Sequence, residues 1–303
     1  MNGTHPTEPL TVMLGDHPHT RPLRDGTVPV PGTGCEFLTS SPLPPAFARM
    51  VRELAYDICE MPMATYLQAR DVGVPVTLLP VVLVGSTHHR SLTRLPDDPE
   101  ITPGDLVGRR VGVRAYGQTT GLWVRGWLEE EYGVKSSDIT WVTTEDVHVA
   151  QYASPPYVER SKAGRVVDLL TAHEVSAAVL GPKAIGGQGA GLVPLVADAE
   201  AAGLAWTERH GTIPANHLLV VRDDVLRTRP DAVLGFYRAL KQSIADTAGL
   251  RDDSPAGRAV GAGWSDSLTT CLEVAGRYAL EQELIGRPVD VVATERMTAY
   301  LDR

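Results

Sequence analysis

The sequence predicts an α/β fold, and three observations carry that prediction. Short apolar runs of strand length alternate with amphipathic stretches of helix length along most of the chain. Residues 105–133 read as a complete strand–turn–helix unit: Arg110-Val-Gly-Val113 as a buried strand, a Gly- and Thr-containing turn, then a helix over about 119–132. Two breakers, near 95–103 and 207–215, divide the chain into an outer segment, a middle segment and a return to the outer one. In the central helix Val124, Leu128 and Tyr132 fall four apart, as do Trp123 and Trp127, so one flank is apolar. Thr119 or Thr120 is placed to cap its start and Gly133 to close its end. Unpaired N–H groups at a helix start attract carboxylate or phosphate. The turn through Tyr116, Gly117, Gln118, Thr119 and Thr120 is therefore a candidate anion cradle, although most such turns in α/β proteins are empty.

Taken in order, residues 10–14 predict a first strand that ends in Gly15-Asp-His-Pro-His-Thr-Arg-Pro22. Loops after the carboxyl ends of strands form the ligand crevice of an open α/β sheet, which makes His17, His19 and Arg21 candidates for substrate contact. Residues 27–45 are Pro- and Gly-rich loop with one strand at 36–39, 45–54 a short helix, 56–61 a strand and 63–70 a helix. Glu60 stands at that strand end, facing the same crevice. Residues 76–84 form the most hydrophobic strand, followed by His88, His89 and Arg90. Adjacent histidines in an extended segment point to opposite faces, so at most one of the two enters a given pocket. Their spacing is not that of a helical metal site, and neither HExxH nor CxxC accompanies them.

Beyond the central unit, 139–142 and 177–180 read as strands, with Lys183 following the second, and 144–156 as loop. Asn216 and His217 stand at the entry to a buried strand over 218–221. Helices at about 231–246, 269–283 and 291–301 finish the chain. Gly186-Gly-Gln-Gly-Ala-Gly191 fits neither a P-loop nor a dinucleotide fingerprint, and no GxSxG elbow is present.

A chain of 303 residues suffices for one large or two medium domains. Its 43% hydrophobic and 21% charged content is that of a soluble globular protein. A net charge of −9 without a Lys/Arg block argues against nucleic acid and anionic membranes as partners. Residues 1–21 lack the pattern of a secretory signal, and the apolar run 74–84, broken by Pro75 and Pro80, is too short to span a bilayer. Three scattered cysteines suggest neither disulfides nor zinc. Together these features predict a cytoplasmic protein.

Several stretches, running over most of the chain to about residue 245, resemble the 4,5-dihydroxyphthalate decarboxylase family. They are Asp25-Gly-Thr-Val28, Tyr56-Asp-Ile-Cys-Glu-Met-Pro-Met-Ala-Thr-Tyr-Leu67, Thr87-His-His-Arg-Ser91, 106–113, Trp123-Val-Arg-Gly-Trp-Leu-Glu-Glu-Glu-Tyr-Gly-Val134 and Ile213-Pro-Ala-Asn-His-Leu-Leu-Val-Val-Arg222. The chain departs from the family pattern at His88-His89, where an aromatic–Arg–His–Ser arrangement is usual, and at Met61-Pro62-Met63, where a Ser-rich turn is expected.

The resemblance implies a two-lobed fold of the type II periplasmic-binding-protein kind, with a two-segment hinge and a ligand cleft between lobes. Residues 1–98 plus 213–303 would form lobe I and 99–212 lobe II. It implies a decarboxylase of a hydroxylated aromatic, phthalate-like or related acid, acting by ring protonation and CO2 loss. Such chemistry needs an acid for carbon, an acceptor for the hydroxyl and cationic or N–H groups for the carboxylate. Histidine suits proton transfer near neutrality. The catalytic candidates are His17, His19, His89, His217 and Glu60; the substrate-binding candidates are Arg21, Arg90, Tyr116, Gly117, Gln118, Thr119, Thr120, Lys183 and Asn216. Trp123 and Trp127 read as core and Arg125 as helix surface. No cofactor is implied, though the clustered histidines leave a divalent metal open, and family members are often homo-oligomers. Two other readings stand beside this one: a solute-binding module for an aromatic anion, and a lyase or dehydratase like those of the futalosine menaquinone route.

Overall fold

The computed structural model describes residues 8–32, 34–181 and 191–302. The chain opens with β1 (Leu10–Met13), α1 (Arg21–Arg24), β2 (Cys35–Leu38), α2 (Pro44–Glu53), β3 (Ile58–Pro62), α3 (Met63–Asp71) and β4 (Val76–Gly85). After a crossover come β5 (Leu92–Arg94), β6 (Arg110–Val113), α4 (Thr119–Tyr132), β7 (Thr140–Thr143) and β8 (Val158–Arg160). Next are α5 (Val166–Thr171), β9 (Ala177–Val179), β10 (Val193–Pro194) and α6 (Ala199–His210). A second crossover leads to β11 (Ala215–Arg222), α7 (Asp223–Thr228), α8 (Pro230–Asp246) and α9 (Pro255–Ala259). The chain finishes with β12 (Gly261–Ala262), α10 (Asp266–Glu281) and α11 (Val291–Thr298).

These strands form two six-stranded sheets, and each sheet is the floor of a lobe. The first runs β12-β4-β11-β3-β1-β2, with β1 parallel to β2 and β3 and with β11 antiparallel to β3 and β4. The second runs β10-β5-β9-β6-β7-β8, parallel from β9 through β8, with β5 antiparallel to β9. The chain therefore leaves the first sheet once and returns once, in the outer–middle–outer order of the sequence breakers. The crossover falls earlier than residue 98, because β5 already pairs with β9 through Leu92 and Thr93.

Local chemistry explains the elements that carry the site. β4 is almost wholly buried, as its richness in Val and Leu demands. Pro80 sits inside it without an N–H to give, and its pairing with β11 slips there: Leu218 faces Val82 whereas Leu219 faces Leu79. α4 is buried on every side from Thr119 to Leu128, and Gly133, at φ 69°, donates its N–H to the last carbonyls of the helix. The N-cap is Gln118, with no side-chain cap. Neither Thr119 nor Thr120 serves as the cap; Thr119 Oγ1 instead accepts from the N–H of Ala64 on α3, 3.1 Å away.

Arg125 also departs from expectation. It is 1% exposed, donating to Gln282 Oε1 and the Tyr116 carbonyl at 2.8 Å, with its guanidinium 4.0 Å from the centre of the Tyr116 ring. A helix buried all round has no solvent face for it to occupy. Among the described residues no helix is long and apolar enough to cross a membrane.

Candidate active site

Three strand ends of the first lobe converge on one carboxylate. Glu60 lies near the end of β3, flanked by the loop after β1 on one side and by the start of β11 on the other. That neighbourhood follows from the strand order β11-β3-β1 and from the antiparallel pairing of β11, which sets the beginning of one strand beside the end of the next. Glu60 is fully buried. Its Oε1 lies 2.5 Å from His217 Nδ1, His17 Nε2 stands 3.0 Å from Oε2, and the Gly15 N–H donates to Oε2 at 2.7 Å.

Burial alone drives a carboxyl group upward, but the hydrogen bonds and charges of His17 and His217 outweigh it and hold Glu60 below the ordinary carboxylate range. The glutamate is thus an ionised anchor. His217 has Nε2 left to offer a substrate, and His17 has Nδ1. A carboxylate that fixes the plane and tautomer of an imidazole is the arrangement acid–base sites use. His19 stacks on His17, with ring centroids 5.2 Å apart. Burial and then the neighbouring His17 push it down to about 4, so it is neutral at neutral pH.

The second lobe faces this group through the carboxyl ends of its parallel strands. Ala64 and Gln68 of α3 touch the turn before α4: Ala64 bonds Thr119, and Gly117 lies so close to Gln68 that a Cβ there would fall 2.8 Å from Oε1. A cavity of about 350 Å³ opens at the ends of β6, β7 and β9, lined among others by Arg114, Gln118, Thr144, Arg165 and Gly181. That size falls within the range of small-ligand pockets. Gln118 Oε1 is buried there and has no hydrogen-bond partner among the described residues. Arg114 is bound to Glu145 at 2.5 Å.

His17, His19, Glu60 and His217 are therefore brought together in the first lobe, and the 117–120 turn meets α3 where the lobes join. The other candidates are not among them. His89 is buried elsewhere, stacked on Trp127 at 4.7 Å and 3.2 Å from Glu131, because a one-turn helix at 89–91 replaces the expected extended segment. His88 is buried as well, and burial pushes it down to about 4. Arg21 is turned to solvent and paired with Asp16 at 2.8 Å, and Arg90 is exposed on that same short helix. Tyr116 belongs to the core, its hydroxyl donating to the Gln282 carbonyl at 3.0 Å. Asn216 is partly buried, its side chain turned toward the buried His88. Lys183 lies outside the described residues.

One residue of this region carried no sequence signal. His148, from the loop after β7, reaches the first lobe and lies 2.8 Å from Thr65 Oγ1 through Nδ1. Among the described residues no group of three or more His, Cys, Asp or Glu side chains has the arrangement of a metal site.

The two sheets and the cleft-edge cluster define a two-lobed α/β protein of the periplasmic-binding-protein kind, and solved structures agree on that fold. The desulfurization enzyme DSZB superposes with a TM-score of 0.62 at 16% identity, covering 98% of each chain. The alkanesulfonate-binding protein SsuA from Xanthomonas axonopodis pv. citri, bound to MOPS, gives 0.60 at 15% identity over 95% of this chain and 98% of its own. No family model matches the chain. A curated 4,5-dihydroxyphthalate decarboxylase from Comamonas testosteroni is 31% identical over 253 residues, 78% of this chain and 74% of that protein. One from Pseudomonas putida is 36% identical over 134 residues, 44% of this chain and 52% of its own length. The chain belongs to the 4,5-dihydroxyphthalate decarboxylase family, a family of carboxy-lyases.

Proposed function

We propose that this protein decarboxylates a hydroxylated aromatic acid of the phthalate type without a cofactor, in the cleft between its lobes. The observation that carries the reading is the buried Glu60 carboxylate held between His17 and His217. Removing CO2 from an aromatic ring requires a proton delivered to the carbon that bears the carboxylate, and a hydroxyl ortho or para to it to receive electron density. In this reading His217, held by Glu60 through Nδ1, delivers that proton from Nε2. The bond to CO2 then breaks, its electron pair returns to the ring, and aromaticity is restored. His17 braces the other side of the carboxylate. The N–H groups at the start of α4, beside Gln118, suit a second carboxylate of the substrate. A module that only binds its ligand has no need of a buried carboxylate orienting an imidazole.

The test is CO2 release from a panel of hydroxylated aromatic acids, 4,5-dihydroxyphthalate first, in D2O. The expected product carries deuterium at the former carboxyl carbon. Binding across the panel without release would overturn the reading.

A further inference from the structure

His148 sits in a loop of the second lobe, yet its contacts belong to the first. Arg52 on α2 donates to the carbonyls of His148 and Val147, at 2.7 and 2.8 Å, and so pins the loop across the lobe junction. Thr65 on α3 engages His148 Nδ1 at 2.8 Å. The ring then lies edge-on to Phe47 at 5.9 Å, while His217 lies edge-on to the same phenylalanine at 5.3 Å. Phe47 is buried and acts as a spacer between two imidazoles, one from each lobe. No described residue bonds His148 Nε2, and the side chain remains partly exposed.

We propose that His148 touches the substrate, accepting the proton of the ring hydroxyl through Nε2 while His217 serves the ring carbon. The proposal rests on the decarboxylase reading and adds the second proton-transfer partner that this chemistry requires. Thr65 Oγ1 can accept from Nδ1–H, and in that tautomer Nε2 keeps its lone pair. Burial first, and then the charges of Arg114, Arg52 and His217, push His148 down to about 4, so the ring is neutral at neutral pH.

The step balances. The hydroxyl proton passes to His148, leaving a phenolate; His217 in its imidazolium form protonates the carbon bearing the carboxylate, giving a cyclohexadienone. The carbon–carboxylate bond then breaks, its electron pair restores the aromatic phenolate, and CO2 departs. His148 returns its proton to the oxygen, and solvent returns one proton to His217. Because Arg52 and Thr65 both belong to the first lobe, the acceptor is in place only when the lobes are together.

His148→Gln tests this. Its turnover of 4,5-dihydroxyphthalate is expected to fall about a hundredfold or more. With a ring-nitro derivative of the same acid, whose hydroxyl is already ionised at neutral pH, the loss shrinks below about tenfold, since no proton remains to be accepted. Equal losses on both acids, or none on either, would overturn the proposal. The ratio of the two losses does not depend on how much of the variant folds, so it reads the proton transfer alone. Release of CO2 by wild type from none of the acids sinks the decarboxylase reading instead.

Discussion

Glu60 shows how much chemistry one buried carboxylate organises. Three donors, from Gly15, His17 and His217, converge on it from loops or strands on either side. Replacing it with glutamine keeps the volume and removes the charge that orients both imidazoles. Glu60→Gln is expected to lower the catalytic rate by about 10²- to 10⁴-fold, the range for disabling acid–base catalysis. The fold is expected to lose about 1–3 kcal/mol, because an amide leaves one converging donor facing another. Steady-state CO2 release and urea unfolding check the two halves; a variant within a few-fold of wild type in rate removes Glu60 from the mechanism. This cluster was half legible in the sequence. Glu60, His17 and His217 each stand at a strand junction, and that alone nominated them. Their union is a product of strand order: 157 positions separate Glu60 from His217, and no local pattern encodes the pairing. His148 had no local signal at all, being one residue of an irregular loop joined to Thr65 across 83 positions.

At the scale of the element, α4 shows where periodicity is informative and where it fails. The boundaries over Thr119–Tyr132 were readable because they are set locally, by the turn before the helix and by the left-handed Gly133 after it. The environment of Arg125 was not, because a helix buried on all sides has no polar face to reveal. Packing of α10 against α4 depends on a glycine. A Cβ at Gly126 would lie 2.0 Å from the Tyr278 ring, far inside contact distance. That ring has little freedom to move, since its hydroxyl meets both Trp206 Nε1 and Glu130. Alanine in place of a helical glycine ordinarily gains up to about 1 kcal/mol, while overpacking a core costs about 1–3 kcal/mol. Here the clash is with a fixed ring, so Gly126→Ala is expected to be net destabilising by roughly 1–2 kcal/mol. A urea midpoint equal to or above wild type would show that α10 slides freely on α4.

The whole molecule carries its histidines in a way that ties stability to pH. His19, His88 and His148 are each pushed down from 6.5 to about 4, with burial the largest cause in every case. Between those two values the unfolded chain holds more protons than the folded one, so stability rises with pH across that window. It is fully present above about 6.5 and is lost as pH falls toward 4, at up to ~1.4 kcal/mol per pH unit for each histidine. Glu60, held below the ordinary 4.5, acts in the same direction one step lower: its contribution is present above that value and drains away beneath it. The protein is therefore expected to lose stability in two stages on acidification, first through the neutral histidines and then through the ionised glutamate. Urea unfolding at pH 7.5, 6.5, 5.5 and 4.5 tests the first stage, and His88→Asn isolates one of its three members. His88 serves this purpose because it lies outside the Glu60 cluster, so its loss should flatten the slope by about a third without touching the carboxylate. A flat profile between pH 6.5 and 4.5 in wild type would mean that these rings accept protons in the folded state, and the neutral acceptor required at His148 would go with it.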